Sequence, residues 1–242
     1  AAFEPLPYAL ALWEGGSAGF GRADQWSDVD LQAEVDDDKV AATFAAVEAA
    51  LAKVAQVSLV FVVPEPAWHG HSHAEPWLIL DFCVIKRGGG YKFNEPDVHG
   101  RAPVLFDRSG LFGSHVVKTD RAVLETRLRG RIEALRVRFA MFQVLVDKET
   151  WRGNPIDALH FYQGLTLAPL VELLRIKHDP LRSTWGNRYL HRTLPAPEAD
   201  RLAKLMYVAT PDLVAPKRAE AETWFNALAD ELSARKQLAP PS

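Results

Sequence analysis

Gly15-Gly16-Ser17-Ala18-Gly19-Phe20-Gly21-Arg22-Ala23-Asp24-Gln25-Trp26-Ser27-Asp28-Val29-Asp30-Leu31 is the stretch on which the reading of this chain turns. A strand-like run, Tyr8 to Trp13, leads into glycines and small residues. Such a turn lets backbone N–H groups and the Ser17 hydroxyl come close to phosphate oxygens. The next run, Val29 to Val35, alternates strictly: Val29, Leu31, Ala33 and Val35 are apolar, while Asp28, Asp30, Gln32 and Glu34 face the other way. Period 2 puts Asp28 and Asp30 on one face, about 6.5–7 Å apart along the backbone. Two carboxylates there repel unless a cation lies between them. Hard oxygen donors of this kind suit Mg²⁺, which also takes oxygens from substrate phosphates.

A third carboxylate lies further on. Asp81 interrupts the apolar run Trp77 to Ile85. A charge in such a strand is expensive without a partner, and it is most simply explained as a metal ligand beside Asp28 and Asp30. Three carboxylates holding two ions are an apparatus for in-line displacement at phosphorus.

Around this core the chain reads as strands followed by helices. Lys39 to Ala55 is Ala-rich and helical, Val57 to Val63 is a buried strand ending at Pro64, and Val104 to Phe106 is a short edge strand. From Asp120 to Val146, Leu124, Leu128, Ile132, Leu135, Phe139, Phe142 and Leu145 recur at helical spacing. Asn154-Pro155 opens a helix to about Lys177, which Pro169 should kink or split. Glu198 to Val208 and Pro216 to Arg235 are two more helices. The expected fold class is α+β. The Gly-rich Ser109 to Ser114 stretch separates two domains, residues 1–116 and 117–242.

Composition bounds the function classes. Residues 1–115 carry 8 Lys and Arg against 16 Asp and Glu, and residues 116–242 carry 20 against 15. An acidic half that holds cations, joined to a basic half that holds anions, is consistent with two tasks. A hydrophobic fraction of 48% with 24% charged residues excludes a disordered, collagen-like or coiled-coil chain. The single cysteine, Cys83, excludes an internal disulfide and a Cys-based zinc cluster. It suits a reducing compartment. No apolar run is long enough to cross a bilayer and no leader is visible, so a soluble, cytoplasmic protein is expected.

Gly16-Ser17, then Asp28-Val29-Asp30-Leu31, then Leu80-Asp81-Phe82 on a later strand resembles the DNA polymerase β-like nucleotidyltransferase superfamily. The Ser-Asp-Val-Asp-Leu wording looks like its bacterial branch of aminoglycoside and lincosamide nucleotidyltransferases and small antitoxin-type enzymes. The motifs cover residues 8–85. Here Ala18 follows Ser17 where many bacterial members carry Arg, and Glu14 stands where an apolar residue is usual. The resemblance implies a small mixed sheet with flanking helices followed by a C-terminal helical bundle. It implies Asp28, Asp30 and Asp81 as catalytic metal ligands for two Mg²⁺ ions, with Gly16 and Ser17 on the triphosphate. It also implies ATP or another NTP as donor, with AMP passing to a small hydroxyl acceptor of aminoglycoside or lincosamide type. In related enzymes a Lys or Arg of the helical domain meets the phosphates, and Lys177, Arg182 and Arg188 are the candidates. A protein or tRNA acceptor, or a catalytically silent nucleotide-binding module, is the alternative. Family analogy allows a monomer or a homodimer.

Other features read as structural. His69, His71 and His73 fall in a surface loop, and Gly88-Gly89-Gly90 forms a mobile hairpin. The arginines of the Asp120 helix form a solvated face. Trp68, Trp77, Trp151 and Trp185 are core or interface aromatics, and Glu149, Asp157 and Glu172 are unranked candidates for an additional base.

Overall fold

The computed structural model describes residues 3–54, 56–63, 68–73, 78–89, 93–108 and 110–241, with residues 68–73 and 111 described by backbone alone. Trp77, Gly90 and the Pro64-Glu65-Pro66 segment lie outside the described residues. The chain divides into two compact units, 1–119 and 120–242.

The first unit is built on six strands: β1 Ala9–Glu14, β2 Val29–Val35, β3 Val57–Val63, β4 Trp68–His73, β5 Ile79–Lys86 and β6 Val104–Asp107. Their order is β3-β4-β5-β2-β1-β6. β2 and β5 run parallel, and every other neighbouring pair is antiparallel. The sheet is therefore mixed. Short helices α1 Gly16–Gly19, α3 Pro96–His99 and α4 Leu111–Ser114 accompany one longer helix, α2 Val40–Leu51.

One face of the sheet is closed by α2. Its Phe44 and Val47 are buried with Leu12, Ala33, Val35, Phe82 and Val84, and Phe44 meets Phe82 edge-on at 5.7 Å. The opposite face buries Ala11, Trp13, Cys83 and Ile85 with Phe112 of α4. Both sides of β2 are thereby covered. Gln32 and Glu34, on its polar side, are 3% and 0% exposed.

Several expectations change. β3 forms, but it is not buried: Leu59 is 71% and Phe61 65% exposed. It lies at the end of the strand order, where β4 is its sheet neighbour among the described residues. The His69–His73 segment is strand β4, paired on both sides, rather than a loop. Gly88 and Gly89 lie in a turn after β5, while Gly90, the third glycine of the expected hairpin, lies outside the described residues. Gly88 adopts φ +67°, and among the described residues no strand pairs back onto β5 from there. α2 ends at Leu51, short of Ala55, which lies outside the described residues.

The second unit is helical: α5 Arg121–Trp151, α6 Pro155–Phe161, α7 Ala168–His178, α8 Leu190–Thr193, α9 Ala196–Met206 and α10 Val214–Ala234. Asp120 caps α5, its Oδ1 accepting from the N–H groups of Ala122 and Val123 at 2.9 and 3.0 Å. The buried stripe of α5 follows the predicted spacing through Phe139, then passes to Gln143 and Val146, leaving Phe142 and Leu145 half-buried. Phe139 stacks on Phe225 of α10 at 3.7 Å. Pro169 splits its helix as expected, with a π-helical stretch, Tyr162–Leu167, between α6 and α7. A proline has no N–H for the carbonyl four residues back. That carbonyl, of Leu165, accepts instead from Gln143 Nε2 at 2.9 Å, while Thr166 Oγ1 donates to Gln143 Oε1 at 2.7 Å. Trp151, expected in a core or interface, is 77% exposed. No helix of the described residues is long and apolar enough to cross a membrane.

Candidate functional site

The site is assembled at the top of β2. Gly15 ends β1, and its N–H donates to the Asp30 carbonyl at 2.8 Å. Gly16 follows with φ +54°, a conformation open to glycine, and lies directly against the Asp30 carboxylate. A Cβ at Gly16 would stand 1.8 Å from Asp30 Oδ2. Gly15 is packed as closely, since a Cβ there would lie 2.1 Å from the Phe93 ring. The glycines are therefore required by close approach of side chains to backbone. Ser17 opens the single turn of α1, and its carbonyl accepts from Phe20 and Arg22 at 3.2 and 2.9 Å. No described residue accepts from the Gly16 or Ser17 N–H groups or bonds the Ser17 hydroxyl.

The loop into β2 is fixed by its own side chains. Asp24 Oδ1 accepts from the Trp26 N–H at 3.0 Å and from Ser27 Oγ at 2.9 Å, while the Asp24 N–H donates to Ser27 Oγ at 2.9 Å. Asp28 follows at once. It is exposed, just before the first residue of β2.

Asp30 and Asp81 are direct partners in the parallel β2–β5 ladder. Neighbouring strands are about 4.8 Å apart and registered residues share a face, so the two carboxylates stand side by side, both half-buried. On the other flank of Asp81 the registered residue of β4 is Gly70. Two residues deeper on the same face lies Gln32, between Trp13 and Cys83 in the register. Its Oε1 is buried without a hydrogen-bond partner among the described residues. Deeper still, the buried Glu34 accepts from the Gly88 N–H at 3.1 Å. Gln32 and Glu34 were visible in the sequence as the polar phase of β2, but their burial was not.

Of the predicted metal set, Asp30 and Asp81 are brought together. Among the described residues no three His, Cys, Asp or Glu side chains converge on one ion. The donor chemistry still fits Mg²⁺, which binds through one or two carboxylates completed by substrate phosphates.

The basic candidates belong to the second unit. Lys177 lies between Glu198 and Glu231, at 3.1 Å from each. Burial works against its charge, but these two carboxylates hold its pKa above the ordinary value. Arg182 pairs with Asp179 at 2.9 Å and lies over Trp185. Arg188 is exposed against the rings of Trp185 and Tyr189 and has no carboxylate partner among the described residues. The fully buried Arg175 was not foreseen. It donates to the carbonyls of Gly186 and Arg188 and so fixes the loop that presents Arg188. Two candidate bases are bonded within the unit: Glu172 holds Arg131 through both oxygens, at 2.5 and 2.8 Å, and Glu149 binds Asn154 and Arg152. Asp157 is exposed in the first turn of α6.

No family model and no curated protein matches the chain. Among solved structures it is similar to an aminoglycoside 6-adenyltransferase from Bacillus subtilis, with TM-score 0.39 and 12% identity over 96% of this chain and 86% of that one. It is also similar to a nucleotidyltransferase-like protein from Exiguobacterium sibiricum 255-15, with TM-score 0.41 and 11% identity over 94% and 70%. A third likeness is to the E. coli MS115-1 CdnC:HORMA-deltaN complex, with TM-score 0.25 and 14% identity over 88% and 82%. At scores of this size the likenesses carry no argument about activity, and the residues of the sheet have to carry it.

Proposed function

We propose that this chain is a Mg²⁺-dependent nucleotidyltransferase. It moves a nucleoside monophosphate, AMP from ATP, onto a hydroxyl of a small aminoglycoside- or lincosamide-like acceptor. The observation that carries the reading is the Asp30–Asp81 pair, in register on adjacent parallel strands, with Gly16 against one carboxylate. A structural pair of aspartates would be a costly way to build a strand centre, since like charges in a poorly solvated place destabilise each other. Gln32 Oε1 lies on the same face and has no hydrogen-bond partner among the described residues.

When bound, Mg²⁺ supplies charge neutralisation at the triphosphate and lowers the pKa of the attacking hydroxyl. The chain's residues do the rest. Asp30 and Asp81, with Asp28 at the strand mouth, would hold the two Mg²⁺ ions. The Gly16 and Ser17 N–H groups and the Ser17 hydroxyl bind phosphate oxygens. Asp81, or a neighbouring group, takes the acceptor's proton. The acceptor oxygen forms its bond to the α-phosphorus, the bond from that phosphorus to the bridging oxygen breaks, and pyrophosphate leaves. Of the three basic candidates in the helical unit, Lys177 and Arg182 are paired to carboxylates, and Arg188, which has no carboxylate partner among the described residues, is the candidate for that anion.

The test is pyrophosphate release from labelled ATP with Mg²⁺ and a panel of aminoglycosides and lincosamides. Acceptor-dependent release is expected, with Asp28→Ala or Asp30→Ala abolishing it while the far-ultraviolet circular dichroism is unchanged. Undiminished turnover in either variant sinks the site assignment. ATP bound without release for any small acceptor shifts the reading to a protein or tRNA target, or to a silent nucleotide-binding module.

A further inference from the structure

Strand β3 has an unusual surface. Val57-Ser58-Leu59-Val60-Phe61-Val62-Val63 contains no charge, proline or glycine. Edge strands are normally blunted by such residues because an exposed edge invites another strand. Here side chains on both faces of the strand are exposed. Leu59 and Phe61 are 71% and 65% exposed on one side, and Val60 and Val62 are 47% and 51% exposed on the other. A small ligand would account for one side. An added strand accounts for both, since its side chains alternate in the same way.

The sequence of β3 also selects its partner. Laid antiparallel against itself about Val60, the strand sets Leu59 opposite Phe61, Ser58 opposite Val62 and Val57 opposite Val63. Aromatic–aliphatic cross-strand pairs of this kind are favourable, and no like charges meet. A two-fold interface requires such self-complementarity. The four large residues expose on the order of 400 Å² per copy, divided between the two faces of the strand. Pairing two copies buries roughly 1,000 Å² in total, the class of weak, reversible association.

We infer that β3 is a dimerisation edge: a second copy of this chain adds its own β3 antiparallel, continuing the sheet across a two-fold axis. That axis stands perpendicular to the sheet, so both copies present Asp30 and Asp81 on the same side. The inference does not depend on the proposed activity.

Sedimentation of the full chain over a concentration series tests it. The wild type should pass reversibly from monomer to dimer. Phe61→Lys and Leu59→Lys should remain monomeric with unchanged circular dichroism. Cys83 is the only cysteine and is buried, so an added thiol reports position cleanly. Under mild oxidation or with a short thiol cross-linker, Val60→Cys should give a covalent dimer in several-fold higher yield than Val62→Cys, whose counterpart is Ser58. A wild type that stays monomeric overturns the proposal, as does a dimer unaffected by either lysine. Higher yield from Val62→Cys overturns the register.

Discussion

β2 and β3 are both seven residues long, and hydropathy ranks them in the wrong order for burial. β2 alternates acid and amide with apolar residues, yet Glu34 and Gln32 are sealed from solvent. β3 is almost wholly apolar, yet its central side chains face water. The difference is position in the sheet. β2 lies between β5 and β1, with α2 on one face and the Trp13–Phe112 contact on the other. β3 lies at the end of the strand order among the described residues, with Leu59, Val60, Phe61 and Val62 exposed. Polar groups kept at a buried centre and apolar groups left at an exposed edge both cost stability. On the proposed function the first cost is offset by binding a cation and nucleotide, and on the inferred dimer the second is offset by pairing with a strand.

The comparison breaks most sharply at Gly16. Gly16→Ala places a methyl group against the Asp30 carboxylate in a backbone conformation that alanine resists. Nucleotidyl transfer should fall by at least ~100-fold, as expected when a reacting group is displaced by about 1 Å. Steady-state pyrophosphate release measures this, and retained activity would mean that Asp30 does not act where Gly16 touches it.

Next in size is Glu34→Ala. It leaves the Gly88 N–H without its acceptor and opens a void in a fully buried position, at a cost of about 2–4 kcal/mol in urea unfolding. A loss below ~1 kcal/mol would show that Glu34 is not a structural anchor.

Gln32→Met should act in the opposite direction. Replacing an unsatisfied buried acceptor with an apolar group of similar shape should leave stability equal or raise it by about 1 kcal/mol. A simultaneous loss of Mg²⁺-dependent ATP affinity, read by calorimetry, would tie the orphaned oxygen to the ligand.

The smallest effect belongs to β3. Val62→Ala removes a half-exposed side chain and should change monomer stability by less than ~0.5 kcal/mol. A larger loss would mean that this edge is covered within the monomer.

Much of this was legible in the sequence. Period 2 located β2 at its observed residues, the three- and four-residue spacing located α5, and Asn154-Pro155 and Pro169 marked the breaks around α6 and α7. Gly16, Ser17, Asp28, Asp30 and Asp81 were singled out because a glycine turn before an Asp-x-Asp strand is a local pattern. Other features had no local signal. β4 was hidden because Trp68 to His73 carries histidines and a glycine, and it becomes a strand through pairing on both sides. Arg175 looked like one more basic residue until the fold placed its guanidinium under the carbonyls of Gly186 and Arg188.

The sequence by itself determined which segments are strands and helices at the centre of each unit, and which carboxylates have chemistry to offer, because side-chain periodicity and turn residues are local properties. The tertiary structure decided what those residues face. Asp30 meets Asp81 only through a parallel register across 51 residues of chain. Gln32 and Glu34 are buried because strands close on both flanks of β2. β3 is open because strand order is fixed by pairings between distant segments, which no property of Val57 to Val63 encodes.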